Sequence, residues 1–464
     1  MTKKSISRLL QASLMCCLAV LFTACDDIFA SEDNPIPAYL SMSDKPVTIK
    51  VGDTYRRKAI SVTSAVVEYT SSKTDVATVD NEGLVTAKAE GTTTITATAT
   101  GYSSQTGKKI YQPDSKSYKV TVGGGSVVPP GSTALATPLT MEAITAGTIV
   151  VTSPQAGMQY SLNGGAKQAV TTDAITVAVG DKVAFYGNGT AITSYYGTQI
   201  TGGTAEVKVY GNIMSLVDET GFATAISLTA NYTFRRLFYG NNQLKDASGL
   251  LLPATTLTGS CYYDMFNGCT SLTAAPELPA TQLAISCYTS MFNGCTSLTA
   301  APELPATDLT GASSCYSYMF RGCTSLTTAP ELKATKIAYD CYSCMFYGCT
   351  SLTTAPAELP AMTMASQCYA GMFFNCTSLT TAPKLPATTL ASTCYLCMFY
   401  GCTSLTTAYV KAAYTNTISN VECDQMFYGC TATGAVLHTS SGNVSGWSGY
   451  MGSIGSNWSV VGDY

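Results

Sequence analysis

Charged residues and histidine are scarce in this chain of 464 residues. Asp, Glu, Lys and Arg make up 12% of the sequence and His438 is its single histidine, whereas an ordinary domain is about 25% charged. The formal charge of −4 argues against nucleic-acid binding, which depends on clustered Lys and Arg. A lone imidazole leaves little scope for acid–base or zinc chemistry. The composition therefore favours a binding or structural protein over an enzyme, and we expect no cofactor and no metal.

Long apolar runs are equally few. One such run, residues 9–24, follows Lys3, Lys4 and Arg8 and ends directly before Cys25. It is shorter than the roughly 20 apolar residues that a membrane-spanning helix needs. A positive segment, a short apolar run and a small residue at its end are typical of a secretory signal. We therefore predict an exported chain, with residues 1–24 as the signal.

The sequence LFTAC at residues 21–25 resembles the lipobox of bacterial lipoproteins. This resemblance implies cleavage before Cys25 and a covalent diacylglyceryl lipid on its sulfur, which would be the membrane anchor. Acidic residues follow in a proline-containing tether, residues 25–38, and this arrangement is similar to the surface-export signal of lipoproteins from Gram-negative anaerobes. The alternative is an ordinary signal peptide with an incidental cysteine. The expected location is the outer membrane, facing the outside of the cell.

Residues 39–122 alternate apolar and polar side chains in short runs separated by turns, a pattern typical of a β-sandwich. The runs VGD at 51–53, DVATVD at 75–80 and GLVTA at 83–87 resemble those of the group 2 bacterial immunoglobulin-like domain. This resemblance implies a sandwich that serves as a spacer or as an adhesive module in a surface protein. The spacer role is the more usual one.

A Gly-, Ser- and Pro-rich segment, residues 123–134, has the composition of a flexible linker with a stiffer end. Residues 135–212 then carry further strand-like runs, and Asn163-Gly164-Gly165 between two of them is a hairpin signal. We predict a second small β-sandwich here, which could also cap the segment that follows. Nothing in its sequence indicates a ligand.

A repeat dominates residues 213–430. The pattern C-Y-x-x-M-F-x-G/N-C-T-S-L begins at Cys261 and recurs at steps of 26 to 28 residues, and degenerate units on both sides bring the total to about eight coils. Apolar side chains at fixed stations become buried only when such coils stack. We predict a leucine-rich-repeat-like solenoid with a short strand and a turn of helix per coil, followed by a β-like C-terminal cap, residues 431–464, with exposed Trp447 and Trp458. The predicted interior stations are those of Cys261, Met265, Phe266, Cys269, Leu272, Leu278 and Leu283.

The run MFNGCTSL at residues 265–272 resembles the BspA-type leucine-rich repeat, whose coils read Ala-Phe-x-x-Cys-x-x-Leu. Methionine replaces the alanine of that pattern, an extra Cys-Tyr precedes it, and the period is longer than the usual 23 or so residues. The resemblance implies extracellular binding or adhesion to host proteins or to other cells.

Most of the 19 cysteines lie in two columns of the repeat. An exported chain permits disulfides, but a helical segment would hold the two columns about 12 Å apart, and a disulfide needs Cα atoms within about 7 Å. We favour cysteine as a small buried hydrophobe, with a disulfide ladder as the alternative. The C-x-x-C spacings at 341–344 and 394–397 match redox or zinc motifs, but no histidine flanks them and we expect no metal there.

Two sets of repeated residues are candidates for a ligand-binding face. One station carries four glutamates and a lysine, which would form a stripe of charges about 5 Å apart; alternatively, these charges only keep the array soluble. The tyrosine after the first cysteine of each unit could line a sugar- or protein-binding face, or it could pack between coils. The charged set is Glu277, Glu303, Glu331, Glu358 and Lys384, and the tyrosine set is Tyr262, Tyr288, Tyr316, Tyr342, Tyr369 and Tyr395.

The sequence as a whole predicts a mainly β, multi-domain protein with an immunoglobulin-like sandwich, a second small β-sandwich and the solenoid. The leading hypothesis is a non-enzymatic surface lipoprotein that presents the solenoid for adhesion, as a monomer and without a nucleic-acid partner. The alternative is a surface lipoprotein that captures glycans for polysaccharide uptake. Glycosidase activity is disfavoured because it needs two carboxylates across a cleft, and His438 has no evident partner for a Ser-His-Asp set.

Overall fold

The computed structural model describes residues 36–122, apart from 38–39, 43–46, 50, 53, 58, 62–64, 82 and 104–107, and residues 135–464, apart from 189–196, 415–422 and 456–457. These residues are mainly β, with 24 strands and one α-helix, and the chain divides into two compact units between Pro129 and Pro130. No helix within these ranges is long and apolar enough to cross a membrane. The signal segment, Cys25, most of the acidic tether and the linker lie outside the described residues.

The first unit is a small β-sandwich. Its strands are β1 (Ile36–Pro37), β2 (Leu40–Ser41), β3 (Val47–Ile49), β4 (Thr54–Arg56), β5 (Ile60–Ser61), β6 (Ala65–Ser71), β7 (Ala77–Val79), β8 (Leu84–Ala87), β9 (Gly91–Ser103), β10 (Tyr111–Gln112) and β11 (Asp114–Val122). One sheet has the order β3-β11-β9-β6 and the facing sheet the order β4-β8-β7; β1 pairs with β10, and β2 with β5. Side chains alternate between the faces of a strand, so Ile95 of β9 and Val120 of β11 meet Val85 of β8 in a common core.

The second unit begins with another β-sandwich. Its strands are β12 (Thr140–Ala143), β13 (Gly147–Thr152), β14 (Gln159–Leu162), β15 (Gln168–Ala169), β16 (Ile175–Val177), β17 (Lys182–Tyr186), β18 (Gln199–Gly203) and β19 (Val207–Asn212). One sheet contains β15-β14-β17-β12-β19 and the other β16-β13-β18; Met141 and Val183 of the first are buried in one cluster with Ile149 of the second. Asn163 and Gly164 have φ of 53° and 74° in the turn from β14 to β15, as the Asn-Gly pair predicts.

This sandwich is continuous with the repeat array. Its edge strand β19 pairs in parallel with β20 (Leu244–Leu251), the first strand of the array, so one six-stranded sheet joins the two. A single cluster of buried side chains runs from Leu139 in the sandwich to Trp458 beyond the last coil. The sandwich therefore covers the N-terminal end of the array, where an apolar interior would otherwise meet water.

The array is a stack of coils held together by backbone hydrogen bonds. Between the two cysteines of a repeat unit, alternate N–H groups bond within the coil or to the next coil. Met265 N–H donates to the Tyr262 carbonyl at 3.2 Å, whereas Phe266 N–H donates to the Met291 carbonyl of the next coil at 2.8 Å. The same alternation recurs along the array. Half of these donors hold the turn and half hold the stack, which satisfies both sets of buried groups.

The turn of helix predicted for this segment is wrong. Every fourth residue has a left-handed backbone conformation, with φ of 54° at Ser260, 56° at Asp264 and 77° at Gly268. A right-handed α-helix of L-residues excludes that conformation. The chain instead forms consecutive tight turns, and at the station of Gly268 the other units have glycine or, once, Asn375, which tolerate positive φ.

Two rows of stacked rings fill the interior of the stack. Ring centroids in the phenylalanine row are 5.3 to 5.7 Å apart, and those in the tyrosine row 5.5 to 6.2 Å apart. The predicted interior stations of the first full unit are buried except Leu283, which is partly exposed. The phenylalanine row is Phe238, Phe266, Phe292, Phe320, Phe346, Phe373, Phe399 and Phe427, and Phe234 begins the tyrosine row.

On the side of the array away from the tight turns, adjacent coils are joined by parallel β-bridges. In the central coils these contacts are isolated bridges, such as Leu304 with Leu332 and Glu358 with Lys384. Near the C-terminal end they become a four-stranded parallel sheet in chain order. Within the described residues, the short strand predicted for every coil is thus a full strand only near the ends of the array. The strands of this sheet are β21 (Thr381–Leu385), β22 (Thr407–Val410), β23 (Val436–His438) and β24 (Ser459–Val461).

The C-terminal cap combines β23 and β24 with a helix, α1 (Val444–Ser453); short 3₁₀ helices lie at Ile213–Leu216 and Ser441–Asn443. The prediction of exposed tryptophans is wrong, because Trp447 is fully buried and Trp458 is only 6% exposed. Both rings pack against Phe427 of the last coil, and Trp447 Nε1 donates to the Ala412 carbonyl at 2.9 Å. The tryptophans close the apolar end of the stack and offer no sugar-binding surface.

Candidate functional site

The predicted charged station lies on the outside of the array, on the bridged side of the coils. All five of its side chains are exposed. Glu358 and Lys384 are direct partners across adjacent coils, and the strand spacing places neighbouring members about 5 Å apart. The row continues past Lys384, and we call the complete set the outer row. It consists of Glu277, Glu303, Glu331, Glu358, Lys384, Tyr409 and His438.

The last two members were missed in the sequence, although strand register places them in the same line. Lys384 pairs with Tyr409 across β21 and β22, and Tyr409 pairs with His438 across β22 and β23. The Tyr409 and His438 rings stack at 4.6 Å, and Lys384 Nζ lies 5.7 Å from the Tyr409 ring centroid. The repeat pattern fades beyond Lys384, and Tyr409 follows it by 25 residues, one fewer than the shortest step of the repeat.

His438 has a partner that its sequence position did not indicate. Its Nδ1 lies 2.8 Å from Asp463 Oδ1, and the Tyr464 ring packs edge-on against Tyr409 at 5.6 Å. Burial, and then the Glu358 carboxylate, raise the pKa of Tyr464, so its hydroxyl remains a hydrogen-bond donor at neutral pH. The outer row therefore ends in a patch of aromatic and charged groups.

The acidic part of the outer row is partly neutralised. Lys333 Nζ lies 3.3 Å from Glu303 Oε2, and Glu331 Oε1 accepts a hydrogen bond from the Ala357 N–H at 3.4 Å. Exposed ion pairs of this kind contribute about 0–1 kcal/mol. Four glutamates against Lys333 and Lys384 leave a net charge of −2 (four negative, two positive) along this stretch. The mutual repulsion expected of the glutamates is thus reduced without being removed.

A shallow groove of about 400 Å³ lies beside the outer row. Its lining includes Glu303, Glu331 and Lys333, together with the hydroxyl-bearing Thr299 and Thr327. Carboxylates, an ammonium group and hydroxyls can together bind a polar chain that carries basic groups. The groove is the place on the outer row where a ligand would contact two coils at once.

The tyrosine set does not form a ligand-binding surface. All six rings are at most 1% exposed and stack inside the array, and burial raises the pKa of each hydroxyl well above its ordinary value. The physical reason is the turn geometry. Cys261 and Tyr262 both face inward, Tyr263 and Asp264 come next, and Met265 begins the next inward pair. Packing between coils, the alternative considered for this set, is what the structure has.

The cysteines of the described array are thiols, not disulfides. In the second column each Sγ donates to a phenylalanine carbonyl of the preceding coil at 3.0 to 3.1 Å, as Cys349 does to Phe320. Burial raises the pKa of Cys349 to about 12, which suppresses the reactive thiolate. Cysteine here is a small buried side chain, as favoured from the sequence, with a hydrogen-bond donor as an additional function.

Three cysteines depart from the columns. Cys344 and Cys397 occupy a left-handed station, with φ of 51° and 52°, and are partly exposed. Cys423 is the first cysteine of the last unit, which would place it in the first column. It stands instead at the tyrosine station, because Met426 N–H donates to its carbonyl as Met265 N–H does to that of Tyr262. Among the described residues no group of three His, Cys, Asp or Glu side chains is placed to hold a metal ion.

A second surface feature lies on the turn side of the array. Tyr347, Phe374, Tyr400 and Tyr428 stack at 4.6, 4.4 and 5.2 Å, and Arg321 lies 4.9 Å from the Tyr347 ring centroid. Because each ring plane faces the next, the ring faces are covered and mainly the edges meet water. This strip stabilises the stack and offers little flat surface to a ligand.

The first unit has a recognisable relative. Residues 39–110 match the family model of the bacterial Ig-like domain (group 2). No curated protein matches the chain. The match confirms the resemblance drawn from VGD, DVATVD and GLVTA, and the N-terminal β-sandwich is a bacterial Ig-like domain of group 2.

Proposed function

We propose that this protein is a non-enzymatic surface lipoprotein whose repeat array, a solenoid of the leucine-rich-repeat type, binds an extracellular protein through the outer row. The observation that carries the proposal is the outer row itself. Seven side chains of successive coils lie in one line, five of them exposed and the last two partly exposed, on a backbone that interior stacking holds rigid. A rigid line of polar groups suits an extended partner, and many weak contacts add up when they are made together.

The charge of the row favours a partner with basic residues. Glu277 and Glu358 form no ion pair within the described residues, and the groove at Glu303 and Glu331 adds hydroxyls between the carboxylates. Attraction of this kind acts over about 8 Å at physiological salt and weakens as salt is added. The glycan alternative based on the tyrosine set finds no support here, because that set is buried.

A binding role also fits the chemistry that the described residues offer. The one histidine is engaged with Asp463 and stacked on Tyr409. The carboxylates of the outer row lie along one face instead of across a cleft, which does not suit glycoside hydrolysis. We therefore retain adhesion, with no cofactor or metal, as the proposed role.

Binding is tested with the full chain against immobilised matrix proteins and mucins. The variant Glu277→Gln/Glu331→Gln/Glu358→Gln removes three negative charges from the outer row and keeps hydrogen-bond acceptors. A control variant, Asp75→Asn/Glu90→Gln/Asp173→Asn, removes three exposed negative charges elsewhere. We expect the outer-row variant to bind at least tenfold more weakly, with less dependence on salt, and the control to bind normally. Equal binding by the two variants would refute the outer row, and the absence of any wild-type binding, with normal adhesion of cells that lack the protein, would refute adhesion.

The anchor is tested separately. We expect cells that express the wild-type chain to incorporate a labelled fatty acid into it, and the Cys25→Ser variant to lose both the label and its retention in the membrane fraction. A Cys25→Ser chain that stays labelled and membrane-bound would show that the lipid is attached elsewhere or that the anchor is different.

A further inference from the structure

The outward face of the sandwich at residues 135–212 carries a trough that the sequence did not indicate. Strand register sets the side chains of this face in rows that cross the strands, about 7 Å apart. In the middle row Ser161 pairs with Ala184, Ala184 with Thr140, Thr140 with Tyr210, and Tyr210 with Gly249. All of these side chains except that of Tyr210 are small. The middle of this face therefore forms a depression in the surface.

Larger groups rise on both sides of this row. Tyr186 stands on one side, and Lys182 with the turn at residues 163–164 stands on the other, around an open depression of about 500 Å³. Thr140 and Ser161 are on the outward face of the sheet, yet they are only 5% and 4% exposed, and their hydroxyls donate to the Pro138 and Gly165 carbonyls, each at 2.8 Å. A depression of this volume with a floor of small residues accommodates a ring-sized group.

Tyr210 gives the trough an aromatic end wall. Its neighbours across the strands are Thr140 and Gly249, and neither has a side chain long enough to cover the ring. A Cβ added at Gly249 would lie 2.8 Å from Tyr210 Cβ, so glycine is needed where the two strands meet. Burial, and then the nearby Glu142 carboxylate, raise the pKa of Tyr210. A tyrosine offers an apolar surface with a polar edge, which suits the face of a sugar ring.

The trough also holds an available positive charge. Lys182 is exposed and lies opposite Glu142 across β12 and β17; within the described residues no salt bridge joins the two, although the charge of Lys182 contributes to the lowered pKa of Glu142. The nearby carboxylates are engaged elsewhere: Glu142 pairs with Lys208 at 3.0 Å, and Asp181 accepts a hydrogen bond from the Asn163 side chain at 2.8 Å. A ligand with a carboxylate would give Lys182 a direct ion pair, which Glu142 does not form with it.

We propose that this trough binds an acidic oligosaccharide, with one sugar ring against Tyr210 on the floor of small residues and the carboxylate of a neighbouring uronic acid on Lys182. An extended peptide fits less well, because peptides that bind sheets usually pair with a free strand edge, and the trough crosses strands that are already paired on both sides. The site is independent of the outer row, and it could not be inferred from the repeats.

The test measures binding of two probes to the full chain by titration calorimetry. One probe is a tetrasaccharide of alternating glucuronic acid and N-acetylglucosamine, and the other is the neutral cellotetraose. Ala184→Leu fills the floor from an outward-facing position and is expected to weaken binding of the acidic probe at least tenfold. Lys182→Gln is expected to weaken binding of the acidic probe to the same extent and to leave any binding of the neutral probe unchanged. Lys119→Gln, which removes an exposed lysine in the first unit, is the matched control and should bind normally.

Several outcomes would overturn the proposal. These are no binding of the acidic probe by the wild-type chain, equal affinity for both probes, or wild-type affinity in Ala184→Leu. If Ala184→Leu does not fold, as judged by circular dichroism, Tyr210→Ala tests the same trough from its end wall and is expected to lose binding likewise. Matrix-protein binding by Ala184→Leu should remain normal, so failure of this site and failure of the outer row are distinguishable.

Discussion

The buried thiols of the array make its stability sensitive to alkaline pH. Desolvation raises the pKa of five of them from the ordinary value of 9.0 to about 12. It also raises the pKa of other thiols in the two columns, such as Cys295, Cys315 and Cys323, well above 9.0. In the unfolded chain the same thiols ionise near pH 9. The folded state therefore binds more protons than the unfolded state above that pH. The five thiols with a pKa of about 12 are Cys269, Cys287, Cys341, Cys349 and Cys430.

The sign and the size follow from proton linkage. Below pH 9 both states keep the thiols protonated and the full stability is present; as the pH rises beyond 9, only the unfolded state gains from ionisation, so stability is lost. At pH 10 each of these thiols costs on the order of 1 kcal/mol, and five together cost on the order of 5 kcal/mol. That is comparable with the whole stability of an ordinary domain, about 5–15 kcal/mol. We expect the array to unfold cooperatively between about pH 9 and pH 11.

The assay follows circular dichroism and thiolate absorbance together during an alkaline titration under reducing conditions. Loss of structure and thiolate formation should coincide, because the thiols ionise only when the stack opens. The first unit is an internal control, since residues 36–122 contain no cysteine, and amide exchange in β9 and β11 should stay slow when the array has opened. A stack that remains folded at pH 11, or thiols that titrate near pH 9 without loss of structure, would refute the reasoning.

Four further predictions concern single side chains. Phe320→Ala removes a buried ring whose centroid lies 5.6 and 5.7 Å from those of its two neighbours. It should lower the free energy of unfolding, measured by denaturant titration, by about 3–5 kcal/mol. The control Tyr339→Ala, at an exposed position, should change that free energy by less than about 0.5 kcal/mol. Gly348 has a φ of 71° and open space around it, so Gly348→Ala should lower the free energy of unfolding by about 1–2 kcal/mol from backbone strain alone. Gly442 also lies in open space but has no positive φ, so Gly442→Ala should leave the free energy of unfolding unchanged. Tyr316→Phe removes a buried hydroxyl that has no hydrogen-bond partner within the described residues, so its denaturation midpoint should stay equal or rise. A thiol reagent at neutral pH should label the two partly exposed cysteines of the C-x-x-C pairs first, as read by mass spectrometry of peptides, and early labelling of the columns would contradict their burial.

Much of the architecture was accessible from the sequence because it depends on composition and period. Alternation of apolar and polar residues predicted both sandwiches, and the Asn163-Gly164 turn predicted a hairpin that the structure contains. The repeated stations predicted which side chains a stack must bury, with Leu283 as the partial exception. These inferences need only the rule that apolar side chains face inward and that turns need particular residues.

The local shape of the coil was not accessible in the same way, because the turn of helix was expected from the general form of a leucine-rich coil and not from the spacing of the residues. The apolar pairs Cys261-Tyr262 and Met265-Phe266 are separated by two variable residues, and an α-helix would need a period of 3.6. Glycine at the station of Gly268 was the available sign that the chain turns there. The trough on the second sandwich was also hidden, since strand register alone aligns Ala184, Thr140 and Gly249.

The two sets of repeated residues that the sequence offered as a ligand-binding face therefore have opposite fates, because the tyrosine set is buried and the charged set is exposed. The tyrosine station belongs to an inward pair, where every unit needs an apolar ring that stacks on the next, so its residue type hardly varies. The outer row has no such constraint, and its residues change from glutamate to lysine, tyrosine and histidine along the stack. Because the acidic end at Glu277 differs from the aromatic end at His438, an extended ligand bound along the outer row would fit in one direction only. We therefore expect any ligand of the outer row to bind in a single direction, because packing leaves this station free to vary along the stack.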